Sequence, residues 1–151
     1  MNNVKYLVIF CFSILVCCKK SNPEKQSVEI TLEKLWETDK ILKTCEAVRY
    51  NPDKNLIYVS NIGNVPPDAK DNDGSISILS VDGKILNQNW VTGISAPKGS
   101  DFYKSTLYVT DVNEIVEINI ETGQVDNKYT VKDAVFLNDL GVDVNGDIYF
   151  T

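Results

Sequence analysis

Three stretches of this sequence are versions of one motif, and they decide the fold: LIYVSN at positions 56–61, LYVTD at 107–111 and DIYFT at 147–151. Each is short and rich in β-branched and aromatic residues, which is typical of a β-strand. Their tyrosines, Tyr58, Tyr108 and Tyr149, lie 50 and 41 positions apart. The longer interval contains residues 62–73, which are rich in Pro, Asp and Asn and are predicted to form an inserted loop.

The same order of elements surrounds each motif. A shorter strand is predicted before it, at 47–50, 100–103 and 140–144. After the first two motifs a third strand (75–80 or 114–119), a hairpin turn and a fourth strand (85–90 or 124–131) follow. Four antiparallel strands that recur every 40 to 50 residues or so predict an all-β fold, a β-propeller with about two and a half blades present. A β-sandwich also has short strands at regular spacing, but it does not account for the return of one motif at blade length.

Composition limits the chemistry of the chain. It has 151 residues, 43% of them hydrophobic, and its 15 basic and 21 acidic residues give a net charge of −6. Since phosphate neutralisation supplies most of the affinity for nucleic acids, an acidic chain without a basic stripe is a poor nucleic-acid binder. Histidine is absent, which excludes Ser-His-Asp and Cys-His catalysis and histidine-ligated zinc from this stretch of chain.

The first 18 residues are predicted to be a lipoprotein signal peptide. One lysine, Lys5, precedes a 13-residue uncharged run that is too short to span a bilayer stably. The run ends in LVCC followed by two lysines, which resembles the bacterial lipobox with Leu15 at position −3 and Cys18 as the lipidated residue. An ordinary secretory signal is the alternative. The lipobox predicts a bacterial cell-envelope location, periplasmic or on the outer-membrane surface, with the N-terminal lipid as the only membrane contact. Residues 19–30 are then a polar tether, and residues 31–151 a partial propeller domain.

Two stretches of the domain resemble the calcium-dependent lactonase propellers, the gluconolactonase, regucalcin (senescence-marker) and paraoxonase group. Residues 45–61, from Cys45-Glu46-Ala47 to the first motif, are similar to the family's opening Glu-Gly-Pro blade. Residues 136–151, which contain Asn138-Asp139, are similar to its Pro-Asn-Asp blade, and this second match is the more specific. The resemblance covers residues 36–151 and implies a propeller of six blades when complete.

The resemblance also implies a divalent cation, calcium, in the central channel. Carried over residue by residue, it makes Glu46 and Asn138 metal-facing groups, with Asp139 as a further candidate. Carboxylate and amide oxygens suit calcium, which takes 6 to 8 hard oxygen ligands. Alternatively, Asn138-Asp139 caps the turn into a strand, and Glu46 pairs with Lys98 as a structural ion pair across the channel.

Lys98 departs from the family pattern. The repeat places Glu46, Lys98 and Asn138 at equivalent positions, each opening the first strand of its blade. An ammonium group repels a metal ion unless an anionic ligand lies between them. Lys98 therefore either binds a substrate carboxylate or indicates that metal binding has been lost.

Two functions of different classes follow from these observations. One is a metal-dependent lactone or ester hydrolase, for which the sequence assigns no catalytic residue. The other is a non-catalytic propeller, similar to NHL-type repeats, that binds a small molecule or a protein partner at the cell envelope. Because the third blade contains only two strands here, the chain is expected to be a fragment of a longer protein.

Overall fold

The computed structural model of the chain describes residues 29–151. Residues 34–151 form one compact unit, and the few described residues before them belong to a separate unit. The predicted signal peptide, Cys18 and nearly all of the predicted tether lie outside the described residues. In the described range every helix or strand element is a strand, and no helix there is long and apolar enough to cross a membrane. The prediction of an all-β fold is confirmed.

Ten strands follow one another along the chain. They are β1 (Cys45–Asn51), β2 (Leu56–Asn61), β3 (Gly74–Ser80), β4 (Ile85–Ile94), β5 (Pro97–Tyr103), β6 (Thr106–Asp111), β7 (Glu114–Asn119), β8 (Val125–Thr130), β9 (Leu140–Val142) and β10 (Ile148–Phe150).

The strands form three antiparallel sheets in which each strand pairs with its neighbour in sequence. The first sheet has the order β1-β2-β3-β4, the second β5-β6-β7-β8, and the third is the pair β9-β10. The three repeated motifs are therefore β2, β6 and β10, the second strand of each sheet. Residues 62–73 connect β2 to β3 without forming a strand, as predicted.

Some strands are longer than the sequence predicts. β4 extends to Ile94 and β5 begins at Pro97, so only residues 95 and 96 join the first sheet to the second. The pairing register shifts within both strands, in the β3–β4 pair and in the β5–β6 pair. Because a bulge accommodates an extra residue, backbone pairing continues where the alternation of apolar and polar residues is interrupted.

The main core lies between the first two sheets. The first strands of successive sheets lie side by side, β1 beside β5 and β5 beside β9. Tyr58 on β2 packs edge-to-face against Trp90 on β4 and Phe102 on β5, with ring centroids 5.1 and 5.2 Å apart. Aliphatic side chains fill the rest of this core: Ile76, Val91, Ile94, Leu107, Val109, Val116 and Ile118. A smaller core between the second and third sheets contains Ile115, Leu137 and Leu140.

Candidate functional site

The long connections of the fold all lie at one end of the sheets. Because neighbouring strands are antiparallel, the first strand of each sheet and the third strands of the first two sheets begin at this end, which we call the loop end. The two long connections there are residues 62–73 and 131–139, beside the two-residue connections 95–96 and 112–113, whereas the opposite end has only turns of two to five residues. Since long loops held by a rigid scaffold commonly carry binding sites, the loop end is the candidate functional face.

The first strands of the first two sheets, β1 and β5, each contain a β-bulge at the loop end. In β1, Cys45 pairs with Asn61 and Ala47 with Ser60, so Glu46 is the extra residue. In β5 the register shifts at the corresponding place, between Pro97 and Ser100. Lys98 therefore lies in the position that Glu46 occupies in the first sheet.

The third sheet repeats this arrangement. The backbone N–H of Asn138 donates to the carbonyl of Thr151 (2.8 Å), and the N–H of Thr151 donates to the carbonyl of Asp139 (3.0 Å). Asn138 and Asp139 thus both face Thr151. Bulges are frequent next to functional sites because they re-aim side chains. The register agrees with the equivalence of Glu46, Lys98 and Asn138 that the repeat indicates.

Charged groups at the bulges influence one another. Burial raises the pKa of the Glu46 carboxyl, the negative charge of Asp139 raises it further, and the positive charge of Lys98 lowers it. The structure thus brings these three predicted site residues close enough to interact electrostatically. The side chains of Glu46, Asn138 and Asp139 are exposed, and so remain accessible to a ligand.

Lys98 differs from its equivalents because its side chain is almost completely covered. The residue is 1% exposed, its Nζ donates to the carbonyl of Ala96 (3.0 Å), and the ring centroid of Phe136 lies 4.4 Å from Nζ. Burial lowers the pKa of the Lys98 ammonium, against the opposing effects of Asp111, Glu46 and Asp68. A ligand can therefore reach this ammonium only if the Phe136 ring moves aside.

Asp111 and Thr110 hold the loop end together. The buried carboxylate of Asp111 accepts hydrogen bonds from the backbone N–H groups of Ser95 (2.8 Å) and Ala96 (2.6 Å). The hydroxyl of Thr110 donates to the carbonyl of Asn138 at 2.7 Å. These contacts tie the short connection 95–96 and the start of the third sheet to the end of β6.

Sequence reasoning did not identify Asp68, Asp111 and Phe136 as members of this site. The sequence nevertheless contains a feature that could have identified each of them. Asp68 belongs to the inserted loop 62–73, Asp111 ends the second copy of the motif, and Phe136 comes two residues before Asn138. A cleft of about 260 Å³ also opens at the loop end, but none of the bulge residues lines it; its walls include Lys70, Asn72, Ser95, Asp111, Asn113 and Glu114.

The bulge residues differ in how well their side chains suit a calcium ion. Glu46, Asp139 and Asn138 offer oxygen atoms of the kind that calcium prefers. No group of three or more His, Cys, Asp or Glu side chains in residues 29–151 is arranged to hold a metal ion. The equivalent position in the second sheet supplies an ammonium group, which repels a cation. Oxygen ligands and an ammonium group thus occupy equivalent positions in the three sheets.

Comparisons with known proteins show the fold and nothing more specific. No family model matches the chain, and no curated protein matches it. The chain resembles a solved structure described as a nidogen/laminin complex, with 16% identity, a TM-score of 0.56 and 75% of this chain covered. The match spans 41% of that chain, and the nidogen domain is β-propeller-like. A computationally designed protein, Ika4, matches over 71% of this chain and 64% of its own length, with 15% identity and a TM-score of 0.42. The chain thus has an all-β, propeller-like fold.

Proposed function

We propose that this protein is an exported lipoprotein whose β-propeller binds a small hydroxylated ligand at the loop end without catalysing a reaction. The observation that carries the proposal is the set of three equivalent bulges, which place Glu46, Lys98 and the pair Asn138-Asp139 together at the loop end of the first strands. Carboxylates accept hydrogen bonds from hydroxyl groups, and an amide side chain both donates and accepts. This set of groups suits a sugar or a hydroxy acid.

Lys98 supports the binding role over the hydrolytic one. Its ammonium interacts favourably with the charge of Glu46, so this carboxylate already has a positive charge nearby. In the substrate-binding role that the sequence predicts, the same ammonium pairs with a ligand carboxylate once Phe136 moves. Neither role requires a metal ion among the described residues.

The second candidate is a calcium-dependent lactone or ester hydrolase. It is favoured by the closeness of Glu46 and Asp139, whose mutual repulsion raises the pKa of Glu46, since two carboxylates that repel each other are a favourable place for a cation. Glu46, Asn138 and Asp139 would hold the ion, with additional ligands from blades outside residues 29–151. Bound calcium would polarise the carbonyl of the substrate.

Ring closure belongs to the same proposal. The resemblance of the sequence to lactonase propellers implies six blades, and a propeller-like structural neighbour is consistent with a ring. A closed ring would bring the first strands of all blades around one channel, so that Glu46, Lys98 and Asn138 would share one site with residues of other blades.

The test is calorimetry on the full-length natural protein, with a panel of hydroxy acids, sugars and lactones. One titration series contains a calcium chelator and the other contains calcium. Binding with the chelator present that is weakened in Glu46→Gln and Asn138→Ala supports the binding role. Binding that needs calcium, together with hydrolysis of a lactone, supports the hydrolase instead. Lys84→Met, in the turn at the opposite end, is the control, and failure of every compound in both series would refute a ligand site at the loop end.

A further inference from the structure

Both tryptophans of the chain pack on a glycine of a hairpin turn. Trp90 on β4 covers Gly123 in the turn between β7 and β8, and a Cβ on that glycine would lie 2.8 Å from the indole Nε1. Trp36, in the segment before β1, covers Gly83 in the turn between β3 and β4, and a Cβ there would lie 2.4 Å from the indole Cε3. In both cases the ring occupies the place where any other residue would put its side chain.

The two tryptophans therefore have equivalent positions relative to neighbouring sheets. Trp90 belongs to the outer strand of the first sheet and covers the turn before the outer strand of the second sheet. By the same relation, Trp36 lies where the outer strand of a sheet preceding the first one would place it. The sequence repeats accordingly, since a leucine lies four residues before each tryptophan, at Leu32 and Leu86.

The segment around Trp36 has the properties of a strand without its partner. Within residues 29–151, the backbone N–H and C=O groups of residues 34–38 make no hydrogen bond. The segment is nevertheless held along the first sheet, because Trp36 lies on Gly83 and the side-chain amide of Gln88 donates to the carbonyl of Ile41 (3.0 Å). Unpaired backbone groups along an extended segment are a template for another strand.

The first sheet also has an uncovered apolar face on its first strand, β1. Val48 and Tyr50 on β1 are 67% and 50% exposed. Their equivalents on β5 are Ser100 and Phe102, and Phe102 packs on Tyr58 of the first sheet. Ser100 and Phe102 of the second sheet thus face the first sheet, whereas Val48 and Tyr50 of the first sheet have no preceding sheet over them among the described residues.

We infer that residues 34–38 are the outer strand of a further blade, which pairs with them and packs on Val48 and Tyr50. The partner is a three-stranded antiparallel meander of the same molecule, with an aromatic side chain placed as Tyr58 is in the first sheet. The same molecule is favoured because residues 39–44 join the segment directly to β1, as residues 95–96 join β4 to β5. A connection of this kind places successive blades side by side.

The inference is tested by amide hydrogen exchange on the full-length natural protein, followed by peptide mass spectrometry. Residues 34–38 should exchange as slowly as β4, whereas the loop 64–72 should exchange fast. Fast exchange in the segment overturns the inference. Slow exchange that appears only at concentrations where the protein dimerises, checked by light scattering, would assign the partner to a second copy and also overturn it.

A pair of variants checks the role of each tryptophan. Trp36→Ala should accelerate exchange in 34–38 and in β4 without changing exchange in β8, whereas Trp90→Ala should accelerate exchange in β8. If Trp36→Ala leaves exchange in the segment unchanged, Trp36 does not anchor it. Both experiments read backbone protection, so they are independent of ligand binding at the loop end.

Discussion

The ammonium of Lys98 lies 4.4 Å from the centroid of the Phe136 ring, so a charged residue of β5 is covered by the loop that leads to β9. In the described part of the chain, the Lys98 ammonium makes one hydrogen bond, which it donates to the carbonyl of Ala96. A cation over an aromatic face is attracted by the ring quadrupole, more strongly where water is excluded. The contact links the bulge of the second sheet to the connection 131–139, which leads into the third sheet.

A double-mutant cycle should measure this contact. In full-length protein, Phe136→Leu keeps an apolar cover but removes the aromatic face, and Lys98→Met removes the charge. The coupling free energy of unfolding between the two changes is expected to be about 0.5–2 kcal/mol. Urea denaturation of the four proteins measures it. Additive effects would mean that Phe136 covers Lys98 without stabilising its charge.

Ser60 and Thr110 form a matched pair opposite two of the bulges, and their substitutions should have different effects. The buried Ser60 hydroxyl has no hydrogen-bond partner among the described residues, whereas the Thr110 hydroxyl donates to the carbonyl of Asn138 (2.7 Å). Because an unsatisfied buried group contributes no favourable bond, Ser60→Ala should leave the free energy of unfolding unchanged or increase it. Thr110→Val should decrease it by about 1–3 kcal/mol. Equal losses in chemical denaturation would contradict this assignment.

Glu117 should make the stability of the second sheet depend on pH. Its carboxylate accepts hydrogen bonds from the Tyr129 hydroxyl (2.6 Å) and the Asn127 amide (2.8 Å), and these bonds lower the pKa of Glu117. A carboxyl whose pKa is lower in the folded state stabilises the fold above its unfolded pKa of about 4.3, and this contribution is lost as the pH falls through the folded pKa.

The measurement for Glu117 is the melting temperature of the full-length protein between neutral and acidic pH. Glu117→Gln should lower the melting temperature at neutral pH and make it fall less steeply in acid. Asp126→Asn is the control, because the exposed Asp126 carboxylate makes no hydrogen bond or ion pair within residues 29–151. An acid-induced fall of the same size in wild type and Glu117→Gln would refute the assignment.

Lipidation at Cys18 is a prediction from the sequence alone, based on the short uncharged run and Leu15 at position −3. Cys18→Ala should yield an unprocessed precursor that takes up no labelled palmitate, whereas Cys11→Ala should be processed and labelled normally. Normal labelling of the Cys18 variant would exclude this cysteine as the lipid attachment site.

The sequence by itself determined the strands, their order and the equivalence of the repeated positions. These features follow from local alternation, from turn residues such as Asp82-Gly83, and from a motif that recurs at blade length. Alternation and turn residues are local patterns, and the repeat is a comparison of the sequence with itself. All of them can therefore be recognised without knowledge of the tertiary packing. The motif that contains Tyr58 is accordingly predicted as a strand, and it forms β2.

Only the tertiary structure decided what surrounds each of the repeated positions. Glu46 and Lys98 occupy equivalent bulges of two sheets, yet Glu46 is exposed and Lys98 is buried beside Phe136, a residue 38 positions further along the chain. The contact of Trp36 with Gly83 likewise joins residues 47 positions apart. The burial of a side chain and its electrostatic interactions depend on contacts between residues that are distant in sequence. A local sequence pattern does not predict which distant residue will make the contact.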